Sequence, residues 1–340
     1  MSDNFSNGAS SNPPAIAVRG LVKKYAKAKT NAVDGVSFNV SRGEIFGLLG
    51  PNGAGKTTTI GVLTTAIVPT EGSASIMSVD VTRDPISVKQ RIAVVPQQSN
   101  LDRSLKVREI LTFHAAYHGV PRKTREALAD KLLNELGLGE RKNEKVNRYS
   151  GGMAQRLMIA RALMHEPDVL FLDEPTNNLD PQSRLFLWER IREMNERGLT
   201  ILLTTHDMDE ADKLCQRIAV MDHGKILVDD TPAELKKLIP GGTVLEVRAH
   251  AAAGGGVRDA VSAALNAIPG IAKVETVDEK TDSNAEAGAL SFRVYAEAAN
   301  ALIGPAAQAV VTSGAEVRDL SVKQPSLEEV FIFLTGRHLR

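Results

Sequence analysis

The stretch GPNGAGKT at residues 50–57 constrains this chain more than any other, because it dictates a backbone path. Gly50, Gly53 and Gly55 let successive N–H groups converge on a phosphate chain where side chains would collide. The preceding EIFGLLG is an apolar run of strand length, and the residues after the loop read as a helix. Strand, glycine-rich loop and helix in that order commit the fold to an α/β unit with a parallel sheet. In such a loop Lys56 reaches the β and γ phosphates of a nucleotide, and the Thr57 hydroxyl ligates Mg²⁺. Pro51, Asn52, Ala54 and Thr58 complete the loop and are expected to line the same ligand.

The runs RIAVVPQ, DVLFLDEP and TILLTTH are nearly continuous in apolar residues, as strands covered on both faces should be. AIAVRGLVKKYA, VSFNV and EIFGLLG read as shorter strands, with SRG at 41–43 as the turn between the last two. The expected core is therefore a P-loop parallel sheet flanked by an antiparallel β subdomain. Residues 107–137 read as helix, with Leu128, Leu132, Leu133 and Leu136 on one stripe and Gly137 as the stop. This segment falls between the strands carrying Gln97 and Asp173, so a helical subdomain of about 98–160 is inserted there. Asp180-Pro181 opens another helix by a capping carboxylate and a proline. Its core stripe is expected at Leu185, Trp188 and Ile191, with a stop at Gly198.

RIAVMDHGKILVDD reads as a hairpin turning near His223-Gly224, and TPAEL as a helix with a Thr231–Glu234 capping box. PGG at 240–242 is expected to end a first domain of residues 15–240. Residues 243–340 then alternate as strand, helix, strand, strand, helix, strand, which suggests a small α+β module of ferredoxin-like type. No catalytic cluster is expected in that module. The first fourteen residues, MSDNFSNGASSNPP, are expected to be a disordered tail.

Lys and Arg together equal Asp and Glu at 41 each, so no nucleic-acid partner is expected from bulk charge. No apolar run reaches the roughly 20 residues that span a bilayer, so a separate chain is expected to supply any membrane part. The single Cys215 excludes an internal disulfide pair and is expected as a buried thiol.

A second phosphate cradle begins at Ser150-Gly151-Gly152, where a hydroxyl and two glycines open a helix carrying Met153, Leu157, Ala160 and Met164 on its core face. A helix N-terminus offers about half a unit of positive charge and unpaired N–H donors. In VLFLDE, Asp173 ends the strand and is placed to hold Mg²⁺. Glu174, one residue on, is placed to polarise an attacking water as general base.

Between residues 15 and 240, Tyr25, the P-loop, Gln97, SGG, the strand ending in Asp173-Glu174, NNLD and His206 follow one another in order. In that order the chain resembles the nucleotide-binding subunit of an ABC transporter. The resemblance implies an ATPase that binds ATP and Mg²⁺, with Tyr25 stacked on adenine and Gln97 near the metal and attacking water. It also implies that Asp180 sits at a subunit contact and that His206 contacts the γ-phosphate. Two subunits would meet head to tail, so that Ser150, Gly151 and Gly152 of one close over ATP held by the other. The family's commoner signature reads Leu-Ser-Gly-Gly-Gln, whereas this chain has Tyr149 and Met153 at the outer positions. The Tyr-Ser-Gly-Gly-Met version and the ending PSLEEVFIFLTGRHLR resemble export ATPases of the daunorubicin-resistance and nodulation type. The implied setting is a peripheral homodimer at the cytoplasmic face of the membrane, bound to an export permease. An import ATPase with a C-terminal regulatory domain, or a soluble ABC ATPase acting on ribosomes or DNA, is the alternative. The transported molecule leaves no mark on this sequence.

Overall fold

Apolar runs bounded by turn residues become strands in the computed structural model, which describes residues 13–251, 256–277 and 288–336. In chain order these are β1 (Ile16–Lys23), β2 (Val33–Val40), β3 (Ile45–Leu49), α1 (Lys56–Leu63), β4 (Glu71–Ile76), β5 (Val79–Asp80), α2 (Pro85–Arg91) and β6 (Ile92–Val95). An all-helical insertion follows, comprising α3 (Val107–Tyr117), α4 (Arg122–Glu135) and α5 (Gly151–Ala162). The chain returns through β7 (Val169–Asp173), α6 (Pro181–Glu196), β8 (Thr200–Thr205), α7 (Met208–Leu214), β9 (Arg217–Asp222) and β10 (Lys225–Asp230).

The main sheet has the order β10-β9-β3-β8-β7-β6, parallel throughout except for the β9–β10 hairpin at its edge. All five residues of β3 and of β7 are buried, which explains their unbroken apolar runs. A separate antiparallel sheet runs β2-β1-β4-β5. Residues from both sheets, among them Phe38, Phe46 and Phe171, share one apolar core.

Local signals act as read. Asp180 caps α6 by accepting from the Ser183 N–H at 2.9 Å, with Pro181 in the first turn. Gly137 (φ +68°) ends α4, and the β9–β10 hairpin turns at His223 and Gly224, both left-handed. Cys215 is buried beside Gly47, and burial pushes its thiol well above the usual range.

Two expectations fail. The first strand stops at Lys23, so Tyr25 lies in the loop after it; shifts of register between Val18 and Val22 break the run early. Leu185 is 60% exposed, while Leu187, Trp188 and Ile191 are buried. Steps of three residues drift about 60° around a helix of 3.6 residues per turn, so a stripe through Leu185 leaves the core side. Leu187 and Ile191, four apart, hold it.

The chain forms two compact units that divide between Thr231 and Pro232. The second contains α8 (Pro232–Lys236), β11 (Thr243–Ala251), α9 (Val257–Asn266), β12 (Ile271–Val277), β13 (Ala289–Ala296), α10 (Ala299–Thr312), β14 (Ala315–Lys323) and α11 (Leu327–Thr335). Its sheet order, β12-β13-β11-β14, is antiparallel throughout and interleaves two βαβ halves, the ferredoxin-like arrangement. Val261 and Leu265 of α9 and Ala306 and Val310 of α10 pack on that sheet. The N-terminal tail lies outside the described residues as far as residue 12.

Candidate nucleotide site

The loop of residues 50–55 leaves β3 at its C-terminal end and enters α1, the place where α/β sheets bind ligands. A side chain at Gly50 would strike the Met221 carbonyl, and one at Gly55 (φ +106°) the Ala32 carbonyl. These two positions require glycine for the path itself. Among the described residues, the N–H groups of Gly53, Gly55, Lys56, Thr57 and Thr58 find no acceptor in the chain; the first helical bond is Thr59 N–H to Gly55 O. Five free donors at a helix start are a ready anion cradle, and they fit a polyphosphate.

Lys56 is buried, with its ammonium donating to Gly50 O at 2.6 Å and Pro51 O at 3.2 Å. Glu174 Oε1 lies 3.5 Å away. Burial lowers the Lys56 pKa and Glu174 opposes that shift, so this carboxylate helps keep the cation charged.

Asp173 ends β7 and Glu174 begins the next loop in a left-handed conformation (φ +49°). That turn sends the two carboxyl groups to different partners. Asp173 accepts from the Thr204 hydroxyl at 2.5 Å, and the Thr57 hydroxyl is 3.3 Å from both its oxygens. Glu174 accepts from Gln97 Nε2 at 2.9 Å and from Asn177 Nδ2 at 3.1 Å. His206 Nδ1 stands 3.3 Å from Glu174 Oε1 without hydrogen-bond alignment. Tyr25 is exposed, with its hydroxyl 3.4 Å from Thr58 Oγ1 and the Lys23 ammonium 5.4 Å from its ring centre.

The fold therefore gathers Tyr25, the P-loop, Gln97, Asp173, Glu174 and His206 at one end of the parallel strands. It gathers the remaining expected residues elsewhere. Ser150 caps α5 by accepting from Met153 N–H at 3.3 Å. Gly152 is buried so closely against Ser183, at the start of α6, that a Cβ would come 2.6 Å from its hydroxyl oxygen. Asp180 caps that same helix, and the hydrogen bonds from Ser183 hold its carboxyl below the ordinary range. Among the described residues, no hydrogen bond joins Ser150, Gly151 or Gly152 to the P-loop.

Sequence reasoning passed over Thr204 and Asn177, which hold Asp173 and Glu174. Asn177 stood within the quoted NNLD, but its bond runs back three residues across a loop. Thr204 pairs with Asp173 across the β7–β8 register, which strand patterns alone do not reveal.

Comparison with known proteins agrees with this geometry. Residues 33–177 match the family model described as ABC transporter. The daunorubicin/doxorubicin resistance ATP-binding protein DrrA of Streptomyces peucetius is 39% identical over 95% of this chain and 92% of its own length. The Nod factor export ATP-binding protein I of Burkholderia pseudomallei is 47% identical over 63% of this chain and 71% of its own. Among solved structures, CbiO1 of Clostridium perfringens, part of the CbiONQ ABC transporter complex, superposes with a TM-score of 0.62 at 28% identity, covering 67% of this chain and 94% of that one. With a full-length relative at this identity and the phosphate cradle in place, the chain belongs to the ABC transporter family, among its ATP-binding, ATP-hydrolysing subunits.

Proposed function

We propose that this subunit powers export through a separate membrane permease, working at the cytoplasmic face as a pair of identical copies. In this reading residues 15–240 form the cassette, with about 98–160 as its helical subdomain, and 243–340 form an accessory domain. The observation that carries the chemistry is Glu174 set among Lys56, Gln97, Asn177 and His206 beside the five free N–H donors. The resistance and export relatives favour the direction of transport.

Lys56 leaves the Gly50 and Pro51 carbonyls to meet the β and γ phosphates, and the P-loop N–H groups take the remaining phosphate oxygens. Thr57, Asp173 and Gln97 would hold Mg²⁺, which when bound neutralises phosphate charge; a hydroxyl centred between both oxygens of a buried carboxylate suits that hard cation. Glu174 accepts a proton from the attacking water, while Gln97 and His206 orient that water. Tyr25 offers its ring to adenine. Ser150, Gly151 and Gly152 of the second copy close over the γ-phosphate, with Asp180 at the contact between copies. Removal of that phosphate then loosens the pair.

Mixing two inactive versions tests the shared pocket. Lys56→Ala and Ser150→Ala copies should each lack Mg-dependent ATPase activity, and the mixture should recover turnover from one intact composite pocket per pair. No recovery, with wild-type monomers hydrolysing ATP at full rate, would sink the proposal.

A further inference from the structure

Three histidines outside the nucleotide site converge where the helical insertion meets the sheet. His114 and His118 stand four residues apart at the end of α3, on one face of the helix. His165 closes the 3₁₀ turn Leu163–His165 that leads into β7. A ligating atom from each of the three lies within 4.8 Å of the others. The rings of His118 and His165 stack at 4.0 Å, and that of His114 lies 4.7 Å and 5.8 Å from them. They line a cleft of about 420 Å³ between α3, the 3₁₀ turn and β6.

His165 carries the second observation. Its Nε2 is 2.9 Å from the Ile92 carbonyl, an acceptor only, so Nε2 bears the proton and Nδ1 carries the lone pair. That Nδ1 is buried with no hydrogen-bond partner. A ring that donates through one nitrogen to a backbone carbonyl and keeps the other nitrogen's lone pair free is how proteins orient a metal-binding histidine.

We propose that His114, His118 and His165 form a binding site for one divalent first-row transition-metal ion, Zn²⁺ being the natural probe, with solvent in the remaining position. Metal–nitrogen bonds of about 2.0–2.1 Å bring tetrahedral ligands to roughly 3.4 Å apart. Ligation requires His118 and His165 to rotate out of their parallel stack, because each lone pair lies in the plane of its own ring. The cleft also presents Lys89 and Arg161, the latter held by Asn100 at 2.6 Å, and Tyr117. No carboxylate lines it among the described residues, so an anion or hydroxide completes the charge in the open position. The ion would tie the last turn of α3 to the start of β7, the strand that ends in Asp173. The site stands independently of the export reading.

Titration of the untagged full-length chain with Zn²⁺ alone, without nucleotide, tests it by calorimetry. Co²⁺ substitution supplies the visible absorption of a tetrahedral nitrogen site as a second readout. The expected result is one tight equivalent, weakened at least about tenfold by His114→Gln and by His118→Gln, both on partly exposed rings. Far-ultraviolet circular dichroism confirms that the variants fold. His165→Ala should abolish the Co²⁺ spectrum. Absence of a stoichiometric equivalent, or equal affinity in the His114→Gln/His118→Gln double variant, overturns the site.

Discussion

In the first unit Lys56, Asp173 and Glu174 are buried at the C-terminal ends of parallel strands, whereas in the second Arg293 and Glu329 are buried between a sheet and a helix. Arg293 on β13 lies 3.7 Å from Glu246 on β11, its cross-strand partner, and 3.7 Å from Glu329 on α11. Lys323 on β14 pairs with the same Glu246 at 3.0 Å. Lys56 and Glu174 are as deeply buried as Arg293 and Glu329. Depth of burial therefore does not mark the site. The nucleotide end differs because free N–H donors, a cation and two carboxylates point at one place, while the cluster in the second unit fastens a helix to a sheet.

Glu174→Gln breaks the comparison most severely. Turnover should fall by about 10² to 10⁴, the worth of a positioned base, with ATP still bound and the pair of copies trapped on sizing chromatography. Residual activity near wild type would mean that Glu174 resembles Glu329 after all. Arg293→Ala should leave turnover unchanged and destabilise the second unit by about 3 kcal/mol, because it strands buried Glu329, whereas Glu246 keeps Lys323. Hydrogen exchange of β13 and α11 reads that loss.

A pH series separates the clusters more gently. Burial, the leading cause, raises the Glu329 carboxyl above its usual 4.5, with Arg293 opposing. The folded state thus holds this proton more tightly than the unfolded chain. The resulting stability is fully present below pH 4.5 and is lost as pH rises through the folded-state pKa. In Glu329→Gln, exchange protection of α11 should decline less between pH 4.5 and 7 than in wild type. Tyr25→Ala, the smallest change, should weaken ATP binding by about 1 kcal/mol, roughly fivefold, and Tyr25→Phe should not. Equal losses in both would assign the effect to the Thr58 contact instead of the ring.

Legibility in the sequence followed the range of the interactions. The P-loop, the helix start at Ser150, the cap at Asp180 and the His223–Gly224 turn depend on neighbours a few residues away, so their patterns were readable. β4 and β5 were passed over because EGSASI has neither an apolar run nor strong alternation. The inward side of α6 turned on a drift that spacing by threes conceals, which is why Leu185 was misplaced. The support from Thr204 and the three-histidine cluster each require knowing which distant segments are neighbours.

Thr204 serves two masters. Its hydroxyl donates to Asp173 and its oxygen receives the Glu174 amide at 3.1 Å, so one atom on β8 anchors both acidic neighbours. Exchange for valine would remove the hydroxyl from Asp173 and leave the Glu174 amide with the Thr204 carbonyl alone, also at 3.1 Å. The loss would fall unevenly, on the aspartate's side chain and only in part on the glutamate's main chain.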